Sequence, residues 1–221
     1  MPIDILYEEG FCLAVNKPSG LLTQAPHGID SLERQVKDYW ESEYLGVPHR
    51  LDRPVSGVVL FGKNSRTTHR ISKQFEERQI DKTYWAIVEG SVVEESGTWI
   101  NYMRKVPNRP IAEIVPPINP DAREAVLHFS VLRRLADCTV LEIRLETGRM
   151  HQIRLQSTAH GHPILGDAMY GSRRPFGEPF DDERLRAVAL HAGFLKFVHP
   201  TSRQSVEILA PLPASWDEFL V

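Results

Sequence analysis

The run His49-Arg50-Leu51-Asp52-Arg53-Pro54-Val55-Ser56-Gly57 sets one carboxylate between two arginines and leads into Val58, Val59, Leu60 and Phe61. Pro54, Ser56 and Gly57 supply the turn chemistry that fixes a loop. The β-forming residues 58–62 anchor that loop as a strand. A rigid turn on a rigid strand presents a single reactive group, here Asp52; the plainer alternative is a turn Asp that caps its own loop. A second set lies in Lys82-Thr83-Tyr84-Trp85-Ala86-Ile87-Val88-Glu89-Gly90. On a strand, Lys82, Tyr84, Ala86 and Val88 share a face. A tyrosine there stacks on an aromatic base and offers its oxygen as acid or base, or else it is a core tyrosine. A third set is Thr147-Gly148-Arg149-Met150-His151-Gln152-Ile153-Arg154-Leu155. On a helix, Met150, Ile153 and Arg154 fall along one side. An arginine on the buried side needs an anionic partner, because an unpaired buried charge is costly, and Asp52 is the natural candidate. Otherwise Arg154 is a surface arginine with a surface partner.

The elements that must position these groups follow from pattern. Ile3–Leu6 and Phe11–Val15 read as short strands, followed by the loop Asn16-Lys17-Pro18-Ser19-Gly20. Ser31 caps a helix expected to run to about Tyr44, with Leu32, Val36 and Trp40 as its apolar face. Strand 57–62 leads to a helix at 64–79, where Ile71 and Phe75 are four apart, and Ile80–Val88 alternates as a strand. The Pro-rich, charged segment 104–121 is expected to be an exposed connection. Ala125–Leu132 and Thr139–Leu145 form a hairpin. Gly148–His160 reads as a helix capped by Thr147 and ended by Gly161, with Pro163 just beyond. The polar segment 171–186 is expected to be a mobile insertion, and strands at 188–198 and 204–209 follow. The expected class is α+β: a mixed, largely antiparallel sheet with flanking helices.

The 221 residues suffice for one domain, 1–221. Cys12 and Cys138 lie in apolar stretches and read as buried thiols, not as a disulfide framework. Met1–Tyr7 has no basic start and no long apolar run, so no leader is expected. No window approaches the ~20 apolar residues of a membrane span. A soluble, cytoplasmic protein is expected. The net charge of −3 argues mildly against nucleic acid, but basic residues cluster at Lys63, Arg66, His69, Arg70 and Lys73. Such a local surface binds phosphates whatever the net charge, or else is a solvated helix face.

Taken in order, these segments resemble the RluA-type RNA pseudouridine synthases. The first matches the family's His-Arg-Leu-Asp-x-x-Thr-Ser-Gly, with Val55 where Thr is usual. The second matches Lys-x-Tyr-x-Ala-x-Val-x-Gly. The third matches Thr-Gly-Arg-x-His-Gln-Ile-Arg, with Gln156 where His is usual. Asn16–Gly20, Gly161–Asp167 with Tyr170-Gly171, and Leu190-His191-Ala192 complete a series that spans residues 16–192. The resemblance implies an enzyme that isomerises a uridine in rRNA or tRNA in a central RNA-binding active-site cleft, with no separate N-terminal RNA-binding domain. Asp52 would be the essential carboxylate, acting on the base, on the sugar, or as a charge assisting cleavage. Arg154 would pair with Asp52 and keep it ionised, and Tyr84 would stack on the uracil. Arg50 would fill the stack vacated by a flipped base. Arg53, Lys82, Arg149, His151 and Gln152 complete the expected RNA contacts.

The reaction needs no redox change, so no cofactor or metal is expected, and a monomer is expected. The sequence has no phosphate-cradling Gly loop and no Cys/His cluster at metal spacing. A glycosidase would need a second positioned carboxylate, and none stands out. A non-catalytic RNA-binding module or RNA chaperone would have no use for an aspartate facing phosphates.

Overall fold

The computed structural model describes residues 3–220. Met1 and Pro2, which open the stretch read for a leader, lie outside the described residues. The chain runs β1 (Asp4–Glu9), β2 (Cys12–Lys17), α1 (Leu32–Trp40), β3 (Ser56–Gly62), α2 (Ser65–Glu76), β4 (Asp81–Glu89), β5 (Ser96–Lys105), β6 (Ala112–Ile114), β7 (Arg123–Arg134), β8 (Cys138–Leu145), α3 (Gln152–Ala159), β9 (Leu190–Val198), β10 (Ser205–Leu209) and α4 (Asp217–Leu220). It divides into two compact units. One takes the residues up to Lys82 with Phe180–Arg186 and His191–Pro213; the other takes Thr83–Pro179, Ala187–Leu190 and the residues from Ala214 on.

In the first unit β2 pairs antiparallel with β1 and β3, and β10 pairs antiparallel with β9. β3 meets β9 in parallel at Ser56↔His191 and Gly57↔Ala192. Every residue of β3 is buried, which is why Ser56–Gly62 reads as an unbroken apolar run rather than an alternating one. Gly57 has φ +117°, and a Cβ there would stand 2.3 Å from the Ala192 carbonyl oxygen; only glycine permits this close strand approach. Ser31 caps α1 and Asn64 caps α2 through their side-chain oxygens. Both helices end earlier than the sequence suggests. Glu41 turns left-handed at φ 48°, and the Ser42 N–H closes back on the Lys37 carbonyl. Arg78 at φ 57° does the same past the end of α2.

In the second unit β8 pairs with β4 and β7, and β5 pairs with β7 and β6, all antiparallel. The result is the expected mixed, mostly antiparallel sheet with few helices. The β7–β8 hairpin lies where its pattern placed it. The segment 104–121 is not wholly a connection: Ala112–Ile114 folds back on Met103–Lys105, held by a 2.7 Å Arg104–Glu113 ion pair. Its three strand residues are too few to show a period among the prolines.

Helix α3 begins at Gln152, not Gly148, because His151 is left-handed at φ 53° and the Gln152 N–H closes a turn onto the Arg149 carbonyl. Met150 therefore lies off the helix and shares no helical face with Ile153 and Arg154. Thr147 does not cap α3: its hydroxyl donates to Gln152 Oε1 and accepts from the Val126 N–H. Gly161 does stand past the helix end, at φ +85°. The expected mobile insertion is anchored over its first part. Glu89 accepts from the Ser172 hydroxyl and from the Arg173 and Arg174 N–H groups, and Phe176 is buried edge-on to Trp216. Cys12 and Cys138 are both buried thiols.

Two histidines, the buried His191 and the half-buried His49, make the first unit acid-sensitive. His191, with no exposed surface, accepts from the Ser56 hydroxyl at Nδ1 (2.8 Å) and faces the Ala210 carbonyl with Nε2 (3.3 Å). Burial pushes its pKa down to about 4, partly offset by that carbonyl. His49 accepts the Leu60 N–H at Nε2 and stacks on Phe75; burial, then the Lys82 charge, push it down to about 3. Unfolded, both take up a proton near the ordinary value of about 6.5. Below that value the unfolded chain binds more protons, so stability falls as pH drops from about 6.5 through about 4. Urea unfolding across that range should show the loss, with a shallower slope in His191→Gln. Equal slopes in the two proteins would remove His191 as the cause.

Candidate active site

In the first unit the Asp52 loop is fastened at each residue around the carboxylate. Upstream, Thr23 clamps Leu51 from both sides: its hydroxyl donates to the Leu51 carbonyl (2.8 Å) and accepts the Leu51 N–H (3.2 Å). Downstream, the Arg53 carbonyl accepts from the Gly20 N–H (2.8 Å) and from Lys17 Nζ (3.2 Å), while Arg53 Nε donates to the Gly20 carbonyl (2.8 Å). The Val55 N–H closes a turn onto the Asp52 carbonyl (3.1 Å). Lys17 is wholly buried and also donates to the Pro18 and Leu21 carbonyls, each at 2.8 Å. Burial pulls its pKa down to about 7; the Asp52 charge raises it and Arg53 lowers it. Its three carbonyl partners match the three hydrogens of an ammonium. Val55 is 2% exposed, so this chain buries an apolar side chain where the family pattern has a hydroxyl. Arg50 is exposed and Asp52 partly so. Lys82, in the same unit, lies over the Phe75 ring at 5.6 Å, and burial lowers its pKa.

The second unit holds Tyr84, Arg149, His151, Gln152 and Arg154. Tyr84 is half-buried on β4, opposite Ile143 of β8. Arg154 is 3% exposed and makes a two-point bond to Asp167: Nε to Oδ2 at 2.6 Å and Nη2 to Oδ1 at 2.8 Å. The sequence places Asp167 in the Gly161–Asp167 motif but gives it no pairing with Arg154. Its signal was present, an acidic residue in a Gly-Asp turn just beyond a helix with an inward arginine. The Tyr170 ring lies 5.1 Å from the guanidinium carbon. Arg149 is exposed, with Nε on the Glu124 carbonyl. Gln152, expected among the RNA contacts, is 3% exposed. Its Oε1 accepts from Thr147 and the Arg149 N–H, and its Nε2 donates to the Val126 carbonyl. It holds the turn before α3, and we remove it from the RNA set. Gln156 is fully buried, its Nε2 tied to the Trp99 and Ala125 carbonyls and Asn101 Oδ1.

Residues 12–159 match the family described as RNA pseudouridylate synthase. The chain belongs to that family and is an RNA pseudouridine synthase, an isomerase. It is 33% identical to an uncharacterized RNA pseudouridine synthase of Synechocystis, over 100% of this chain and 69% of that protein. It is 33% identical to the ribosomal large subunit pseudouridine synthase C of Vibrio cholerae, over 98% and 68%. It is 32% identical to the tRNA pseudouridine synthase C of Vibrio parahaemolyticus, over 98% and 93%. The fold matches the human RNA pseudouridylate synthase domain containing 4 with a TM-score of 0.78 at 22% identity, covering 98% of this chain and 93% of that one.

Removing the Lys17 amine leaves the Pro18 and Leu21 carbonyls without that donor, while the Arg53 carbonyl keeps the Gly20 N–H. An unsatisfied buried acceptor costs about 1–3 kcal/mol, offset in part by no longer burying a charge. Lys17→Met should therefore lose roughly 2 kcal/mol or more of stability and slow isomerisation in the fraction that remains folded. Urea unfolding and a single-turnover assay read the two effects. A variant as stable and as fast as wild type would show that the amine does not hold the loop.

Proposed function

We propose that this chain isomerises a specific uridine of rRNA or tRNA to pseudouridine, with Asp52 as the catalytic carboxylate. The observation that carries this is the Asp52 loop: a partly exposed carboxylate on backbone pinned from Leu51 to Val55, inside a chain of the RNA pseudouridylate synthase family. The bond between ribose C1′ and uracil N1 breaks, the base turns, and C1′ joins C5. The C5 proton then leaves, and a proton goes to N1, so atoms and electrons balance with no oxidant. No cofactor or metal is required. Asp52 acts on the sugar or the base. Arg154 supplies the fixed positive charge of the reaction. Tyr84 stacks on the uracil and serves proton transfer.

The target base must leave its stack, at a cost of a few kcal/mol. Arg50, exposed beside Asp52, fills the space, and Arg53, Lys82, Arg149 and His151 contact the RNA. We read the protein as a cytoplasmic monomer.

Asp52→Asn should lower the isomerisation rate more than about a thousand-fold while RNA affinity holds, as measured by pseudouridine formation and filter binding. Retained product would end the assignment. Loss of affinity with no specific loss of rate would favour a binding module. Arg50→Ala should slow the reaction more on a structured RNA than on an unstacked one; equal losses would count against base replacement.

A further inference from the structure

We infer that Asp167 and Tyr170 are positioning residues that set the orientation of the Arg154 guanidinium. The inference rests on the assignment of Arg154 above and deepens it. Both residues come from one turn, 166–171, and they fix the arginine in two independent ways. Asp167, 1% exposed, takes Nε and Nη2 together, which fixes both the plane and the direction of the planar fork. Tyr170 places its ring face 5.1 Å from the guanidinium carbon.

The turn itself is tightly held. The N–H groups of Tyr170 and Ser172 both close on the Asp167 carbonyl at 3.0 Å. Gly166 has φ +83°, and a Cβ there would stand 2.4 Å from the Ala187 carbonyl oxygen. Thr158 of α3 donates to the Tyr170 carbonyl at 2.7 Å, so the turn and the arginine's own helix are bonded together. The Tyr170 oxygen accepts the Ala112 N–H at 3.0 Å. The same oxygen is hydrogen-bonded to His151 Nδ1 at 2.7 Å. His151 is the left-handed residue that starts α3. Strained backbone of this kind persists only where its surroundings over-determine it, and the Tyr170 hydroxyl is one such restraint. One tyrosine thus fixes the start of the helix and underlies its arginine.

Stability alone does not account for this arrangement. A buried ion pair is a weak stabilising device that apolar residues often replace without loss. A two-point carboxylate pair stacked on an aromatic face is a strong orienting device.

The test compares Arg154→Lys, Asp167→Asn, Asp167→Glu and Tyr170→Phe. Single-turnover rates at saturating enzyme, RNA affinity and melting curves are measured on each. Arg154→Lys and Asp167→Asn should each slow the reaction about a hundred-fold with RNA affinity unchanged, and the double variant should be no slower than the worse single one. Asp167→Glu restores the charge and should recover part of the rate. Tyr170→Phe keeps the ring and the charge balance and loses only the hydroxyl; it should slow the reaction about ten-fold. A purely structural role would lower the melting temperature and leave the rate of the folded fraction at wild type, which overturns the inference. If Asp167→Asn does not fold, the decision passes to Tyr170→Phe and Asp167→Glu, and wild-type rates in both overturn it. A wild-type rate in Arg154→Lys refutes the assignment of Arg154 itself, a result distinct from a slow Arg154→Lys beside fast Asp167 and Tyr170 variants.

Discussion

Lys17 carries its amine at the inner end of β2 with no exposed surface, and the geometry around Asp52 follows from how that burial is compensated. An ammonium taken out of water is costly unless its hydrogens find acceptors. Two acceptors come from its own loop, the carbonyls of Pro18 and Leu21, and the third is the carbonyl of Arg53, next to Asp52 in sequence. Neither loop can shift without stranding the amine. The Asp52 charge also favours the protonated form, against the burial that pulls the pKa to about 7. The support and the carboxylate are thus coupled electrostatically as well as mechanically. Pro18 and Gly20 matter for the same reason. Gly20 is left-handed at φ +82°, its N–H and carbonyl both meet Arg53, and a Cβ there would press on the Leu185 carbonyl at 3.0 Å.

The second unit meets a similar problem with a different cation, and the choice of residue is physical. Lysine is a compact charge whose hydrogens rotate toward scattered carbonyls, which suits the gap between two loops. Arginine is a planar fork that recognises one carboxylate edge-on and tolerates an aromatic face. Arg154 finds both, in Asp167 and Tyr170. Exchanging the two cations would leave carbonyls unmet in the first unit and orientation undefined in the second.

Much of this was legible in the residues themselves because it is local. The Asp52 turn, the buried run of β3, the strand at Tyr84, the β7–β8 hairpin and the Ser31 cap all rest on neighbours a few positions apart. What escaped was set by contacts at longer range. Asp167 is thirteen positions from Arg154 and belongs to a turn, and the docking of Lys17 on Arg53 spans thirty-six. The start of α3 was misplaced because Thr147 has the right chemistry for a cap, yet the Val126 N–H and the Gln152 amide claim its hydroxyl first. Gln152 looked like an RNA contact for the converse reason: a polar side chain in a functional motif can be wholly occupied in holding the motif's own backbone. Strand β5 went unassigned before a Pro-rich stretch, although it buries Trp99 and Met103 on one face.

The two departures from the family pattern fall into the same class as these supports. Val55 is buried, and a buried hydroxyl there would need a hydrogen-bond partner. The turn that Val55 closes uses its backbone N–H, which any residue but proline supplies. Gln156 Nε2 shares its two hydrogens among three acceptors on β5 and β7, tying α3 to both, while its Oε1 has no hydrogen-bond partner among the described residues. That orphan acceptor costs stability, but the amide cannot flip, because its oxygen would then face three other acceptors. Both changes therefore act on how the frame is held. Under the proposed assignment, neither change falls on Asp52, Tyr84 or Arg154 themselves.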